Sequence, residues 1–341
     1  MKKTTRLSTA SLLACFMSLT LVGQIQIPAK VETNKTQQEI TQRKIGELTL
    51  REPSLYVYDE YVNEGAYPMY FIEDFTGKGS NIVHRQGGVQ GIGADRKGNV
   101  YEVVYVGPSA KPYIKDIRKP GEFTGPLKFP TAVACDKQGR IYITDRELGQ
   151  VIRIDNLDGA NLVTFGTTGS GIGQFKNPSG IAIDKDGRIY IADMANNRIV
   201  RINDMAGEGW VTYNGMQYGG QALQVDFVKD IAVDSKNRIY YIYADKVIRV
   251  DDMNGSNVKF FGGYSNGASS AKLLYNGTGI AIDYADRIYI SDMEGRCLIR
   301  INDIEGNGRT LLYKSTNGQS LFRRPSHVVV YFPVAEKVNI R

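Results

Sequence analysis

The chain has 341 residues, with 42 basic and 36 acidic side chains, two histidines and three cysteines. That length fits one large all-β domain or two smaller ones. The charge balance is too even to argue for nucleic-acid binding, and the scarcity of His and Cys argues against a zinc site. Abundant tyrosine (21) and a large excess of Gly (37) over Pro (11) suit many short strands joined by tight turns.

The N-terminus reads as an export signal over residues 1–23. Lys2, Lys3 and Arg6 form a charged head, Leu7–Val22 is free of charge, and Gly23 is a small residue before a cleavage point. An uncleaved membrane anchor is the alternative. Against it, the apolar run is short and carries Ser8, Thr9, Ser11, Ser18 and Thr20. Leu12-Leu-Ala-Cys15 resembles a bacterial lipobox, in which Cys15 would be acylated, but Phe16–Val22 stays apolar where a lipoprotein turns polar. Without the three basic residues of the head, the remainder barely exceeds the 36 acidic ones. The expectation is a periplasmic or secreted protein that meets no nucleic acid. It would touch a membrane only through an N-terminal anchor or a lipid on Cys15. Residues 24–52 are polar and aperiodic and read as a flexible leader.

From residue 53 to 333 two phrases recur. The first is Asp184-Lys-Asp-Gly-Arg-Ile-Tyr-Ile-Ala-Asp193, with copies starting at Asp136, Asp234 and Asp283 and a weaker one at Asp95. It spells a hairpin. Its fourth position is Gly98, Gly139, Gly187, Asn237 or Asp286, the residue types that best tolerate positive φ. The second phrase is apolar, acidic or Asn twice, apolar, any residue, Gly. It appears at Ile72–Gly77, Ile154–Gly159, Ile202–Gly207, Val250–Gly255 and Ile301–Gly306, with a degraded copy at Ile114–Lys119. Alternating hairpins with a period of roughly 40 to 50 residues predict blades of four antiparallel strands, a to d.

Six c–d turns but five a–b turns predict six blades, with the missing turn split between the chain ends. Leu55–Asp59 looks like a b strand lacking its a strand. Pro325–Val330 matches Pro178–Ile183, an a strand lacking its b strand. The fold expected is therefore all-β: a six-bladed β-propeller closed by pairing the C-terminal a strand with the N-terminal blade, ahead of a tail at 334–341. Closure removes the open edge between the first and last blades.

Phe175–Arg201 is similar to an NHL repeat almost throughout, with its Pro-x-Gly start of strand a, Asp-x-x-Gly turn, Ala-Asp end of strand b and Asn-Arg start of strand c. The resemblance spans about residues 53 to 332 and implies an NHL-type propeller. It is poor for function, since such propellers include enzymes, receptors and scaffolds. It also implies that the d–a and b–c loops share the face that binds ligands.

Two aligned rings fall at that channel mouth. One step before the first apolar residue of strand a lie Gly91, Ala132, Gly180, Asp230, Gly279 and His327. One step earlier lie Gln90, Thr131, Ser179, Lys229, Thr278 and Ser326, candidates for ligand binding. Most of these are small and were expected to leave room on the axis. Lys229, Asp230 and His327 are the candidate catalytic residues: His327 as a general base, the other two shaping its pKa. Set against that, Lys229 and Asp230 read as solvated loop charges and His327 as a hydrogen-bonded structural residue. Strand-b ends Asp59, Asp145, Asp193 and Asp292 suggest an acidic ring for a cation, but hydrogen bonding of the b–c turn explains them better.

No metal or other cofactor is expected. The amidating lyases of this fold class use histidines absent here. The gluconolactonase-like propellers hold a divalent cation where this chain has Thr131, Ser179 and Lys229. His84 falls in an outer d strand, Cys135 in an apolar strand, and nothing pairs Cys135 with Cys297. No nucleophile elbow, phosphate loop or dinucleotide fingerprint appears. Two functions remain. One is an exported binding propeller for a small molecule, glycan or envelope protein. The other is a propeller lyase or hydrolase. Besides these, a purely structural partner in an envelope assembly would use Tyr56, Tyr58, Tyr61, Tyr67 and Tyr70 around the first blade as its surface, with strand packing the alternative explanation for some of them.

Overall fold

The computed structural model describes residues 53–60, 67–85, 87–218, 221–264 and 272–331. The signal, the leader, Cys15, Tyr61 and the C-terminal tail lie outside the described residues. The described chain forms six four-stranded antiparallel blades, a six-bladed β-propeller. Blade 1 takes strand a from Pro325–Tyr331 and strands b to d from Ser54–Asp59, Pro68–Ile72 and Asn81–Arg85. Blades 2, 3, 4, 5 and 6 begin at strands Val89–Ala94, Pro130–Cys135, Pro178–Ile183, Ile231–Val233 and Gly277–Ile282.

Ring closure is as the sequence implied. Leu55, Tyr56 and Val57 pair with Val330, Val329 and Val328, and Tyr58 pairs with His327. The blade 1 aspartate finishes the seam: Asp59 accepts the amides of Arg323 and Arg324 at 2.8 and 2.6 Å.

The a–b turn is a small polar device repeated around the ring. Asp184 Oδ1 accepts the amides of Asp186 and Arg188, each at 2.9 Å. Its Oδ2 accepts Arg188 Nε at 2.6 Å and the Tyr190 hydroxyl at 3.1 Å. Asp136, Asp234 and Asp283 bind their own Arg and Tyr in the same way. Asp95 substitutes Asn99 for the arginine. The fourth turn position has φ of 81° at Gly98, 87° at Gly187, 63° at Asn237 and 60° at Asp286, so the restricted residue choice has its expected cause. The Ile-Tyr pairs thus do two jobs. The isoleucine packs, and the tyrosine hydroxyl satisfies a buried carboxylate.

The hydrophobic core is divided into six clusters, each between neighbouring blades. Blades 1 and 2 share Tyr56, Tyr58, Met69, Val89, Val100 and Val104. Blades 6 and 1 share Leu298, Tyr289, Leu55, Val57 and Val328. Tyr56 and Tyr58 are therefore core rather than surface, and Tyr67 stacks on Tyr58 with ring centroids 6.1 Å apart. Cys297 is buried, whereas Cys135 is only half-buried and lies on the channel wall; both are free thiols.

Besides a short parallel pair, Thr167–Thr168 with Gln174–Phe175 in the loop from blade 3 to blade 4, two additions have no counterpart in the repeat. A hairpin, Gly215–Tyr218 with Gln221–Gln224, sits in the loop from blade 4 to blade 5. A fifth strand, Lys272–Leu274, extends blade 5. Both lie in d–a connections, where the repeat imposes no turn chemistry.

Deleting residues 325–341 removes the inner strand of blade 1 and exposes its partner edge. The expected outcome is loss of a single cooperative urea transition followed by circular dichroism. A truncated chain that unfolds like the parent would contradict the closure.

Candidate binding site at the channel mouth

The a strands of all six blades line an axial cavity of about 410 Å³ that opens at the d–a and b–c loops. Lys229, Asp230 and His327 all border it. Their hydrogen bonds, however, run to the scaffold rather than to each other.

The ring of Gln90, Thr131, Ser179, Lys229, Thr278 and Ser326 works largely as a clamp between blades. Thr131 Oγ1 donates to Pro178 O at 2.8 Å, Ser179 Oγ to Val228 O at 2.6 Å and Thr278 Oγ1 to Pro325 O at 3.1 Å. Each acceptor is the corresponding carbonyl of the next blade. Lys229 fills the same slot with a longer arm: its Nζ donates to Gly277 O at 3.2 Å and to Asn276 Oδ1. Gln90 turns back onto Gly88 O at 3.2 Å. Ser326 is buried, and its hydroxyl meets His327 Nδ1 at 2.9 Å.

In the second ring the small residues have a different cause from axial room. A Cβ at Gly180 would lie 3.0 Å from the Asp230 Cα. At Gly279 it would lie 2.8 Å from Ser326 O, and at Gly91 2.7 Å from Thr131 O. This position points at the neighbouring blade, and close backbone approach selects glycine. Asp230 and His327 point the same way. Asp230 Oδ2 accepts the Ile280 amide of blade 6 at 3.0 Å, and Oδ1 accepts its neighbour Ile231 at 2.9 Å. The His327 ring bonds the Gln90 backbone of blade 2.

Burial sets the protonation of this group. It pushes the Asp230 carboxyl up to about 7, against the two amides that favour the anion. It pushes His327 down to about 4, against its bond to Gln90, so the ring is neutral at pH 7. It also lowers Lys229, which Glu294, Glu60 and Asp292 oppose. Lys229 and Asp230 are half-buried rather than solvated loop charges.

The strand-b aspartates are backbone caps. Asp145 accepts the amides of Lys128 and Phe129 at 2.7 and 3.0 Å, and Asp292 those of Tyr275 and Asn276, both at 2.9 Å. Asp193 takes Lys176 N, Asn196 Nδ2 and Arg198 Nε. These bonds use the lone pairs a cation ring would need. Among the described residues no group of three or more His, Cys, Asp or Glu side chains is placed to hold a metal.

Sequence reasoning missed the next position along the chain. The residue after strand b enters the mouth: Glu60 in blade 1, Arg146 in blade 3 and Met194 in blade 4. Arg146 and Met194 line the cavity. Arg146 lies over the Phe129 ring at 4.5 Å, and Phe129 stacks on Tyr105 at 4.0 Å. Glu60 hydrogen-bonds Ser326, and burial raises its pKa. Aligning the strand ends one residue further would have exposed this set.

The loops around the mouth carry exposed apolar groups: Phe227 at 71 % exposure, with Ile172, Val106 and Tyr275. Phe227 is also strained, with φ of 50°. The corresponding residues are Gly88 at 79° in blade 2 and Asn177 at 51° in blade 4, types that tolerate this region.

This is a six-bladed β-propeller whose axial mouth gathers Lys229, Asp230 and His327, three ionisable groups shifted by burial. The NHL repeat family model matches residues 175–202, which run from the start of blade 4 through its strand c. No curated protein matches the chain. A solved protein of unknown function from Bacteroides caccae is similar with a TM-score of 0.55 at 12 % identity, over 82 % of this chain and 99 % of that one. Another from Bacteroides thetaiotaomicron gives 0.51 at 14 %, over 82 % and 85 %. A virginiamycin B lyase from Staphylococcus aureus gives 0.45 at 16 %, over 73 % and 71 %. At these identities the likeness is one of fold alone.

Two expected outcomes follow from the geometry. Phe227→Asn relieves the left-handed strain and removes no buried contact, so urea unfolding should show stability unchanged or raised by up to about 1 kcal/mol. A clear loss would mean that the ring packs against the fold. Asp230 and His327 should give opposite pH slopes. Folded Asp230 keeps a proton that the unfolded chain has lost, so its contribution falls as pH rises from about 4 to about 7. Folded His327 lacks a proton that the unfolded chain holds, so its contribution rises from about 4 to 6.5. Denaturant midpoints measured across this range should be nearly flat for the parent. They should fall with pH in His327→Asn and rise with pH in Asp230→Asn. Identical profiles in all three would refute the assignments.

Proposed function

We propose that the protein is an exported binding propeller whose channel mouth receives a small molecule, a glycan or a segment of an envelope protein. The observation that carries this reading is how the candidate catalytic groups are engaged. Both Asp230 oxygens accept backbone amides, and both sides of the His327 ring are bonded. A general base must present a lone pair to the proton it removes, and these groups direct hydrogen bonds into the scaffold, Asp230 to Ile231 and Ile280 and His327 to Ser326 and Gln90. The same mouth offers a concave volume lined by apolar residues of the inner strands, among them Ile92, Val133, Ile181 and Ile280, the surface that binding needs. Export rests on the charged head and apolar run of residues 1–23.

A lyase or hydrolase is the second reading, and one observation favours it. Asp230, with a pKa of about 7 beside a cavity, is matched to proton transfer near neutral pH.

A binding screen of metabolites, glycans and envelope extracts on the full protein tests the choice. The binding reading expects a ligand recovered unchanged, with affinity reduced about tenfold or more by Met194→Ala on the cavity wall and retained in Asp230→Asn. Conversion of the bound compound, lost in Asp230→Asn, would establish the enzyme instead.

A further inference from the structure

The arginines of the a–b turns, and Arg198 at the start of strand c in blade 4, are matched to carboxylates. Arg140 pairs with Asp136, Arg188 with Asp184, Arg238 with Asp234, Arg287 with Asp283 and Arg198 with Asp193. Arg146 departs from the pattern. It is half-buried on the cavity wall, and among the described residues its guanidinium makes no ion pair. Its support is aromatic: the Phe129 ring beneath it, itself backed by Tyr105. A guanidinium laid flat on a ring keeps its N–H edge free for a planar or tetrahedral oxyanion.

Lys229, two blades round the ring, is the second cation on the same wall. It too makes no ion pair among the described residues. Its ammonium donates to two neutral acceptors, Asn276 Oδ1 and Gly277 O, which leaves one of its three donors. The nearby carboxyls are occupied. Glu294 accepts from Asn276 Nδ2 at 3.4 Å, Glu60 bonds Ser326, and both Asp230 oxygens hold amides. Among the described residues the cavity wall carries two half-buried positive charges with no carboxylate in ion-pair contact, Glu294, Glu60 and Asp292 acting on Lys229 only through space. Withdrawing a cation from water without a partner is unfavourable, and a bound anion removes that cost.

We infer that the axial cavity binds an organic anion, its carboxylate or phosphate held by Arg146 and Lys229. A volume of about 410 Å³ suits a compact solute such as a sugar acid or sugar phosphate. The inference rests on the channel mouth being a binding site and adds the charge of what binds there. The Arg146 fork gives directional, charge-assisted hydrogen bonds, and the Lys229 ammonium adds a point charge from another sector of the ring.

Calorimetric titration of the full protein with glucuronate, glucose 6-phosphate, inorganic phosphate and glucose tests it. The expected result is binding of glucuronate or glucose 6-phosphate at millimolar concentration or below, weakened by added sodium chloride, with no binding of glucose. Which of the two organic anions binds more tightly decides between carboxylate and phosphate. Arg146→Gln should weaken the interaction about tenfold or more, and Arg146→Lys should recover part of it. Thermal unfolding of both variants should match the parent, because Arg146 closes no blade-to-blade hydrogen bond through its side chain. Glucose bound as tightly as glucuronate would overturn the anion inference while leaving the mouth a binding site. Binding of inorganic phosphate alone, an adventitious ion only, would overturn it. So would organic-anion affinity unchanged in Arg146→Gln, or no anion bound at all.

Discussion

The antiparallel pairing of Pro325–Tyr331 with Ser54–Asp59 turns a row of blades into a ring, and the chemistry at the mouth depends on it. Without that pairing, blade 1 would have no inner strand. His327 and Ser326 would leave the channel wall, and Thr278 would lose the Pro325 carbonyl it bonds. Blade 6 would then present a bare hydrophobic side, since Tyr289 and Leu298 pack against Leu55, Val57 and Val328. Closure converts two edges into one more interface of the kind already made five times.

Each interface has an apolar wedge, and most add a polar stitch near the axis. Hydroxyls of Thr131, Ser179 and Thr278 tie one blade to the next, and glycines at 91, 180 and 279 let the inner strands approach. Lys229, Asp230 and His327 occupy the same stitch positions with larger, ionisable side chains. They are built into the walls as much as they face the cavity. That dual placement explains why all three have perturbed acid–base behaviour and yet direct most of their hydrogen bonds into the scaffold. Charge that the scaffold does not consume lies one residue beyond strand b, at Arg146, and at the spare donor of Lys229.

The turns were the most legible part of the sequence. Positive φ admits few residue types, so Gly139, Gly187, Asn237 and Asp286 announce the a–b turn wherever it occurs. The blade count and the shared first blade followed from those turns alone. Which residues reach the mouth was legible by register, but where their side chains point was not. The direction of Asp230 toward Ile280 depends on the spacing between blades, which no single repeat encodes. Arg146 escaped notice because the aligned phrase ends at Asp145. The hairpin at 215–224 and the strand Lys272–Leu274 lie in connections that vary from blade to blade, so no periodicity marks them. The strand-b aspartates were legible as structural, because a carboxylate followed by a tight turn has amides within reach.

Hydrogen exchange on the intact protein measures the closing interface most directly. If the last strand completes the first blade, the amides of Val328 and Val330 exchange as slowly as those of Ile181 and Ile280, which occupy inner strands of continuous blades. Rapid exchange at Val328 and Val330, with Ile181 and Ile280 still protected, would show an open ring and remove the basis for a shared channel mouth.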